Sequence, residues 1–264
     1  MKKIRNESKI KNKILTSAGK LGILACTLAL ALVFSLTACG WGDDSDDNNS
    51  VIVCLGDSLT AGMSATTAWI DDKSKSYPAY LQTKVTATVV NAGVSGNTTA
   101  QALARVQNDV IAKDPDIVVI CLGGNDFFSA DTEAELEGVM TSLETNMQNI
   151  IEALDTRDRL IFIAKYYNDA VARNHLSSIA ISDYATQTTY IERSDAIFDR
   201  LAALETTNAE LVLIEDIWTG VFDGTGTMST AEGDVHPNAA GYEVMADNYF
   251  NAMESYLQNL GLVR

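Results

Sequence analysis

The chain has 264 residues, of which 47% are hydrophobic, with 19 basic and 35 acidic side chains and a net charge of −16. That apolar share supports a full core and excludes a disordered chain; the acidic surplus repels nucleic acid and anionic lipid and excludes a charge-driven role on either. Four cysteines and two histidines offer no cluster of soft metal ligands, so no metal and no cofactor are expected.

The first segment is not part of the fold. Residues 1–20 carry seven basic side chains against one acid, Glu7, an apolar run fills residues 21–36, and Leu36-Thr37-Ala38-Cys39 closes it. A basic region, an apolar core and a small-residue site form a secretory signal. A cysteine directly after Leu-Thr-Ala matches the bacterial lipobox, which implies cleavage before Cys39 and acylation of its thiol. The rival is a transmembrane anchor, for which the apolar run is short. Residues 1–38 are therefore read as a lipoprotein signal. Residues 39–50, with Asp43, Asp44, Asp46 and Asp47, are read as an acidic flexible tether, and residues 51–264 as one domain. Cleavage leaves 226 residues with 12 basic and 34 acidic side chains, a net charge of −22. The expected location is the cell envelope, with the exported domain held to a membrane through lipid on Cys39 and behaving as a monomer.

Five apolar runs of strand length follow, at residues 51–55, 87–90, 117–122, 160–164 and 211–214. They are continuous rather than alternating, which predicts strands covered on both faces. Between them lie helical stripes: Ala102, Leu103, Val106, Val110 and Ile111; then Leu136, Met140, Leu143, Met147, Ile151 and Leu154. Ile191, Ile197, Leu201 and Leu204 form a third, and Tyr242, Met245, Tyr249, Met253 and Leu257 the last. Alternating strands and helices predict an α/β domain with a parallel sheet, whose ligands gather beyond the carboxyl ends of the strands. Cys54 and Cys121 fall inside apolar runs and read as small buried residues; a disulfide is open to an exported protein but not indicated by spacing.

Polar motifs stand where that rule places ligands. Gly56-Asp57-Ser58-Leu59 follows the first run, Asn91-Ala92-Gly93-Val94-Ser95-Gly96 the second and Gly123-Gly124-Asn125-Asp126 the third. Asp234-Val235-His236-Pro237 precedes the last helical stripe. Singly these are weak: Ser58 could be a helix cap, and Gly and Asn are turn residues. Together they offer a hydroxyl, an imidazole and neutral amide donors on one rim, which acyl transfer requires. His175 has no comparable setting. Asp57 is expected to accept backbone N–H groups in its turn. Arg105 and Trp69 are near-site candidates, with surface charge and loop anchor as their plainer roles.

These four blocks, in this order, resemble the SGNH (GDSL) hydrolase family, and the resemblance runs from about residue 51 to the C-terminus. It implies a three-layer α/β/α sandwich with a flavodoxin-like parallel five-stranded sheet of order 2-1-3-4-5. It implies Ser58 as nucleophile, His236 as base, and an oxyanion held by the backbone N–H groups of Ser58 and Gly96 and the Asn125 amide. One departure stands out: the family's acid lies three residues before the histidine, where this chain has Gly233. Asp234, two before, is taken as the acid, with Glu232 or a backbone carbonyl as alternatives. The implied activity is hydrolysis of acyl-lipid, lysophospholipid or short acyl esters through an acyl-enzyme. O-acetyl removal from glycans is the alternative, and a non-catalytic ligand-binding lipoprotein the alternative of another class. The segment 63–76 and apolar Met63, Trp69, Phe127 and Phe128 favour an acyl or aryl group at the site.

Overall fold

The computed structural model describes residues 50–166, 168–222 and 226–264; the signal, Cys39 and the tether up to residue 49 lie outside the described residues. Five strands form one parallel sheet in the order β2-β1-β3-β4-β5. They are β1 (Val51–Gly56), β2 (Thr88–Gly93), β3 (Ile117–Cys121), β4 (Leu160–Ala164) and β5 (Glu210–Ile214). Every residue of Ile52 to Leu55 and of Ile117 to Cys121 is fully buried, as continuous apolar runs require when helices cover both faces. Each such aliphatic side chain contributes about 1.5–3 kcal/mol on burial.

One face is covered by α2 (Tyr77–Gln82) and α8 (Ala239–Asn259), which pack on each other. Their Tyr77 and Tyr249 rings stack at 4.3 Å, and the Tyr77 hydroxyl meets the Thr60 hydroxyl at 3.2 Å. The thiols of Cys54 and Cys121 are free and buried. The other face is covered by α3 (Thr99–Asp109), α5 (Glu133–Leu154) and α7 (Tyr184–Ala202), α5 packing on both its neighbours. In α5 the buried positions Leu136, Met140, Leu143, Met147, Ile150, Ile151 and Leu154 trace one stripe. The Thr132 hydroxyl caps its start, with Glu133 and Glu135 favourably placed in the first turn.

Three local features differ from the sequence expectation. β2 continues through Asn91-Ala92-Gly93, because the Asn91 side chain satisfies its own surroundings: Oδ1 accepts the Gly93 N–H, and Nδ2 donates to the Thr60 carbonyl. Val110 ends α3 and Ile111 opens a separate 3₁₀ turn. Between β4 and α7 lies a helix, α6 (Asp169–Ser178), that buries only Ala172 and Leu176 and so leaves little periodic signal. No helix among the described residues is long and apolar enough to cross a membrane.

The register brings the site together. Gly56 pairs with Gly93 on one side and Cys121 on the other, so the three motif-bearing strands end level with one another.

Candidate active site

Ser58 is the first residue of α1 (Ser58–Ala61), directly after β1, and is 6% exposed. Asp57 caps that helix, its Oδ1 accepting the Leu59 N–H at 3.1 Å. The turn requires glycine at 56: a Cβ there would lie 1.9 Å from the Thr60 hydroxyl oxygen and 2.8 Å from the Cys121 carbonyl.

His236 and Asp234 lie on the loop before α8, whose start is capped by Asn238. His236 Nε2 is 2.9 Å from Ser58 Oγ, and Nδ1 is 2.7 Å from Asp234 Oδ1. A carboxylate only accepts, so Nδ1 carries the proton and Nε2 is left to accept the Ser58 hydroxyl proton. Asp234 Oδ1 also accepts the His236 backbone N–H at 3.1 Å. Gly233, at φ +75°, supplies the left-handed turn that lets Asp234 fold back onto the ring, while Glu232 stays exposed. The Asp234 side chain is fully enclosed. Burial pushes its pKa up, but hydrogen bonds from Ser64, Ser229 and His236 outweigh this and hold the carboxyl below its ordinary range. The Ser64 hydroxyl donates to Asp234 Oδ2 at 2.5 Å.

The amide donors stand on neighbouring loops. Gly96 adopts φ +79° with open space where a side chain would point. Neither its backbone N–H nor that of Ser58 is engaged by a protein acceptor among the described residues. Asn125 sits in α4 (Gly124–Phe127), directly after β3; its Nδ2 lies 3.0 Å from the Asn97 carbonyl and 3.2 Å from Asp57 Oδ2. Asp57 thus does more than cap its turn, because it also fixes the Asn125 amide. Its burial pushes its pKa up to about 7 against hydrogen bonds from the Leu59 N–H and the Tyr166 hydroxyl. Arg105 is no surface charge: Nη2 donates to the Gly56 carbonyl, Nη1 to the Ala92 carbonyl and Nε to Asn97 Oδ1, all within 2.9 Å. It clamps the ends of β1 and β2 to the loop that carries Gly96. Asp126 accepts both the backbone N–H and the hydroxyl of Thr99, tying α4 to the start of α3.

A family model for GDSL-like lipases and acylhydrolases matches residues 54–244. The chain belongs to the GDSL-like lipase/acylhydrolase family. Among curated proteins it is 25% identical to the uncharacterized protein YpmR of Bacillus subtilis over 224 residues, 77% of this chain and 81% of that one. It is 38% identical to the thioesterase 1/protease 1/lysophospholipase L1 of Escherichia coli over 101 residues, 35% of this chain and 45% of that protein; that match spans less than half of its length. Among solved structures, TesA superposes with a TM-score of 0.59 at 23% identity, covering 78% of this chain and 99% of that one, a likeness of fold. The SGNH-hydrolase family esterase AlinE4 gives 0.50 at 26% identity over 80% of this chain and 96% of that one.

In this GDSL-family chain a cleft opens beside His236. Leu59, Phe128, Tyr166, Val171, Trp218, Phe222 and Val235 line it, with Asn168 as the polar exception. Phe127 is fully buried rather than a lining residue, and Trp69 lies outside the cleft, edge-on to the His236 ring at 6.0 Å. His175 packs its ring on Phe127 and Phe128, and burial lowers its pKa. Tyr166, Trp218 and Phe222 were not singled out from the sequence. They follow β4 and β5 within a few residues, so the carboxyl-end rule could have found them. Ser64 left no such signal.

Proposed function

We propose that this carboxylic ester hydrolase works through an acyl-enzyme on Ser58. His236 Nε2 takes the hydroxyl proton as Oγ attacks the ester carbonyl, and Asp234 holds the imidazole and stabilises its charged form. The oxyanion forms against the backbone N–H groups of Ser58 and Gly96, and the Asn125 amide becomes the third donor by exchanging its longer contact, 3.2 Å to Asp57 Oδ2, for the oxyanion. His236 then passes its proton to the departing alkoxide and later activates water to release the acid. The single observation that carries this reading is the unbroken chain from Ser58 Oγ through His236 to Asp234, at 2.9 and 2.7 Å.

The cleft argues for the substrate class. Beside His236, seven apolar or aromatic side chains and one amide line it, which suits an acyl chain or aryl group and offers a sugar ring few hydrogen-bond partners. Esters of medium or long acyl chains, uncharged near the carbonyl, are the proposed substrates, ahead of O-acetyl groups on glycans. Export and lipid anchoring at Cys39 complete the proposal; they rest on the Leu36-Thr37-Ala38-Cys39 sequence and would keep the enzyme at a membrane surface.

A fluorophosphonate probe tests the nucleophile: wild type is labelled and Ser58→Ala is not, whereas labelling that survives the substitution refutes it. Rates on p-nitrophenyl esters from acetate to palmitate, beside acetylated xylan, test the substrate class. Membrane fractionation of Cys39→Ser tests the anchor, and a variant that stays membrane-bound would sink it.

A further inference from the structure

The loop from Met63 to Asp71 closes on itself through a bridge between those two residues. Inside it Ser64 is 4% exposed and adopts φ +62°, a left-handed conformation that a serine holds only when its surroundings impose it. Three contacts impose it. The Ser64 N–H donates to the Ile70 carbonyl at 3.0 Å, the hydroxyl oxygen accepts the Trp69 N–H at 2.9 Å, and the hydroxyl proton goes to Asp234 Oδ2 at 2.5 Å. Because Trp69 occupies the oxygen as donor, the hydroxyl proton is directed at Asp234. The Ser64 loop is also tied to the start of α8, by the Ala239 N–H on the Ala65 carbonyl and the Tyr242 hydroxyl on the Met63 carbonyl.

We infer that Ser64 is the positioning residue of the Asp234 carboxylate, the fourth member of a chain running Ser58, His236, Asp234, Ser64. The need for it follows from the spacing. Asp234 is only two residues from His236, and one oxygen, Oδ1, meets both the ring Nδ1 and the backbone N–H of that residue. The His236 loop holds the carboxylate at Oδ1 and through the Ser229 hydroxyl; a donor brought to Oδ2 by a separate loop removes the remaining freedom to pivot. Ser64 stands 170 residues away in sequence and carries its hydroxyl on a loop held at its own ends. It therefore holds the carboxylate from a direction that the His236 loop does not offer. It touches no substrate and acts through Asp234. The inference rests on the hydrolase reading for its kinetic consequence but not for its geometry.

The test is a double-mutant cycle. Ser64→Gly removes the hydroxyl while relaxing the left-handed backbone, and Ser64→Ala removes it while keeping the Cβ, so agreement between them isolates the hydroxyl from the backbone. Either variant should lower kcat about ten- to a hundredfold, as expected for losing a hydrogen bond to a charged group, with KM within about twofold. In an Asp234→Asn background the same substitution should cost nothing further. Thr66→Ala, which loses a hydrogen bond to Asp72 in the same loop, should leave kcat unchanged and controls for loop loosening. Multiplying effects of Ser64→Gly and Asp234→Asn, or an unchanged kcat in Ser64→Gly, would overturn the inference. A second readout separates it from the catalytic reading. In the resting protein the downfield proton signal of His236 Nδ1–H should shift in Ser64→Gly. If wild type hydrolyses no ester and takes no probe, the hydrolase mechanism fails, and that signal alone decides: a shift upholds Ser64 as the holder of Asp234, and an unchanged signal refutes it.

Discussion

Asp234 Oδ1 accepts two N–H groups of the same residue, the ring Nδ1 of His236 at 2.7 Å and its backbone nitrogen at 3.1 Å. The acid and the base are thus locked as one local unit rather than meeting across the domain. Asp234→Asn presents an amide to a ring that must donate, and the wrong tautomer follows. Turnover should fall by on the order of 10³–10⁴, with unfolding midpoints showing a folded protein. Glu232→Gln, at an exposed position, should change kcat by less than about twofold. Equal, mild effects of the two would mean that the acid is dispensable.

The Asn125 amide is held by the Asn97 carbonyl and Asp57 before any substrate arrives. The side chain is oriented in advance and has only to exchange its 3.2 Å contact with Asp57 for the oxyanion; deleting one such donor typically costs about 10²–10³ in rate. Asn125→Ala should therefore lose that much kcat with little change in KM. A loss confined to KM would place Asn125 in ground-state binding instead.

Arg105 makes two kinds of connection, of very different worth. Its contact with Asp109, which is 40% exposed, is a surface pair worth under about 1 kcal/mol. Its bonds to the Gly56 and Ala92 carbonyls and to Asn97 are enclosed, and a lysine cannot reproduce that fork. Urea unfolding should show Arg105→Lys destabilised by about 2 kcal/mol and Asp109→Asn by less than half of that. The reverse ranking would mean that the clamp is not what holds the Gly96 loop.

The strands were legible because β1 and β3 are buried on both faces and so read as unbroken apolar runs. Three of the rim motifs were legible because each follows a strand, and the His236 block because it directly precedes the last helical stripe. What escaped was a non-local contact and two locally ambiguous segments. Ser64 meets Asp234 across 170 residues, and no pattern within the segment 63–76 announces a partner on another loop. The polar end of β2 escaped because Asn91 satisfies its neighbours with a side chain, which looks like a turn in sequence. The α6 helix escaped because its burial is confined to Ala172 and Leu176.

Asp57 gives a pH signature. Burial raises its pKa from 3.8 to about 7 in the folded protein, so the folded state holds a proton that the unfolded state releases. Its contribution to stability is full below about pH 4 and is lost as pH rises toward about 7. Asp234 has the opposite sign, its depressed pKa losing stability only at pH values below the ordinary carboxylate range. Unfolding measured from about pH 4 to about pH 7 should therefore decline less steeply for Asp57→Asn than for wild type. Parallel profiles would show that the buried carboxyl titrates normally.

The cleft beside His236 makes a prediction about chain length. Val171 lines it from α6, facing a wall that includes Phe128 and Trp218. Val171→Trp fills part of that space from the α6 side and leaves Ser58, His236 and their amide donors unsubstituted. Each methylene displaced from an apolar pocket forfeits about 0.8 kcal/mol of transfer energy, so the loss grows with the acyl chain. For p-nitrophenyl octanoate kcat/KM should fall more than about tenfold, while for the acetate it should stay within about twofold. The ratio of the two rates is the measurement, since it cancels any general damage to the enzyme. A ratio unchanged from wild type would mean that the acyl chain does not enter this cleft.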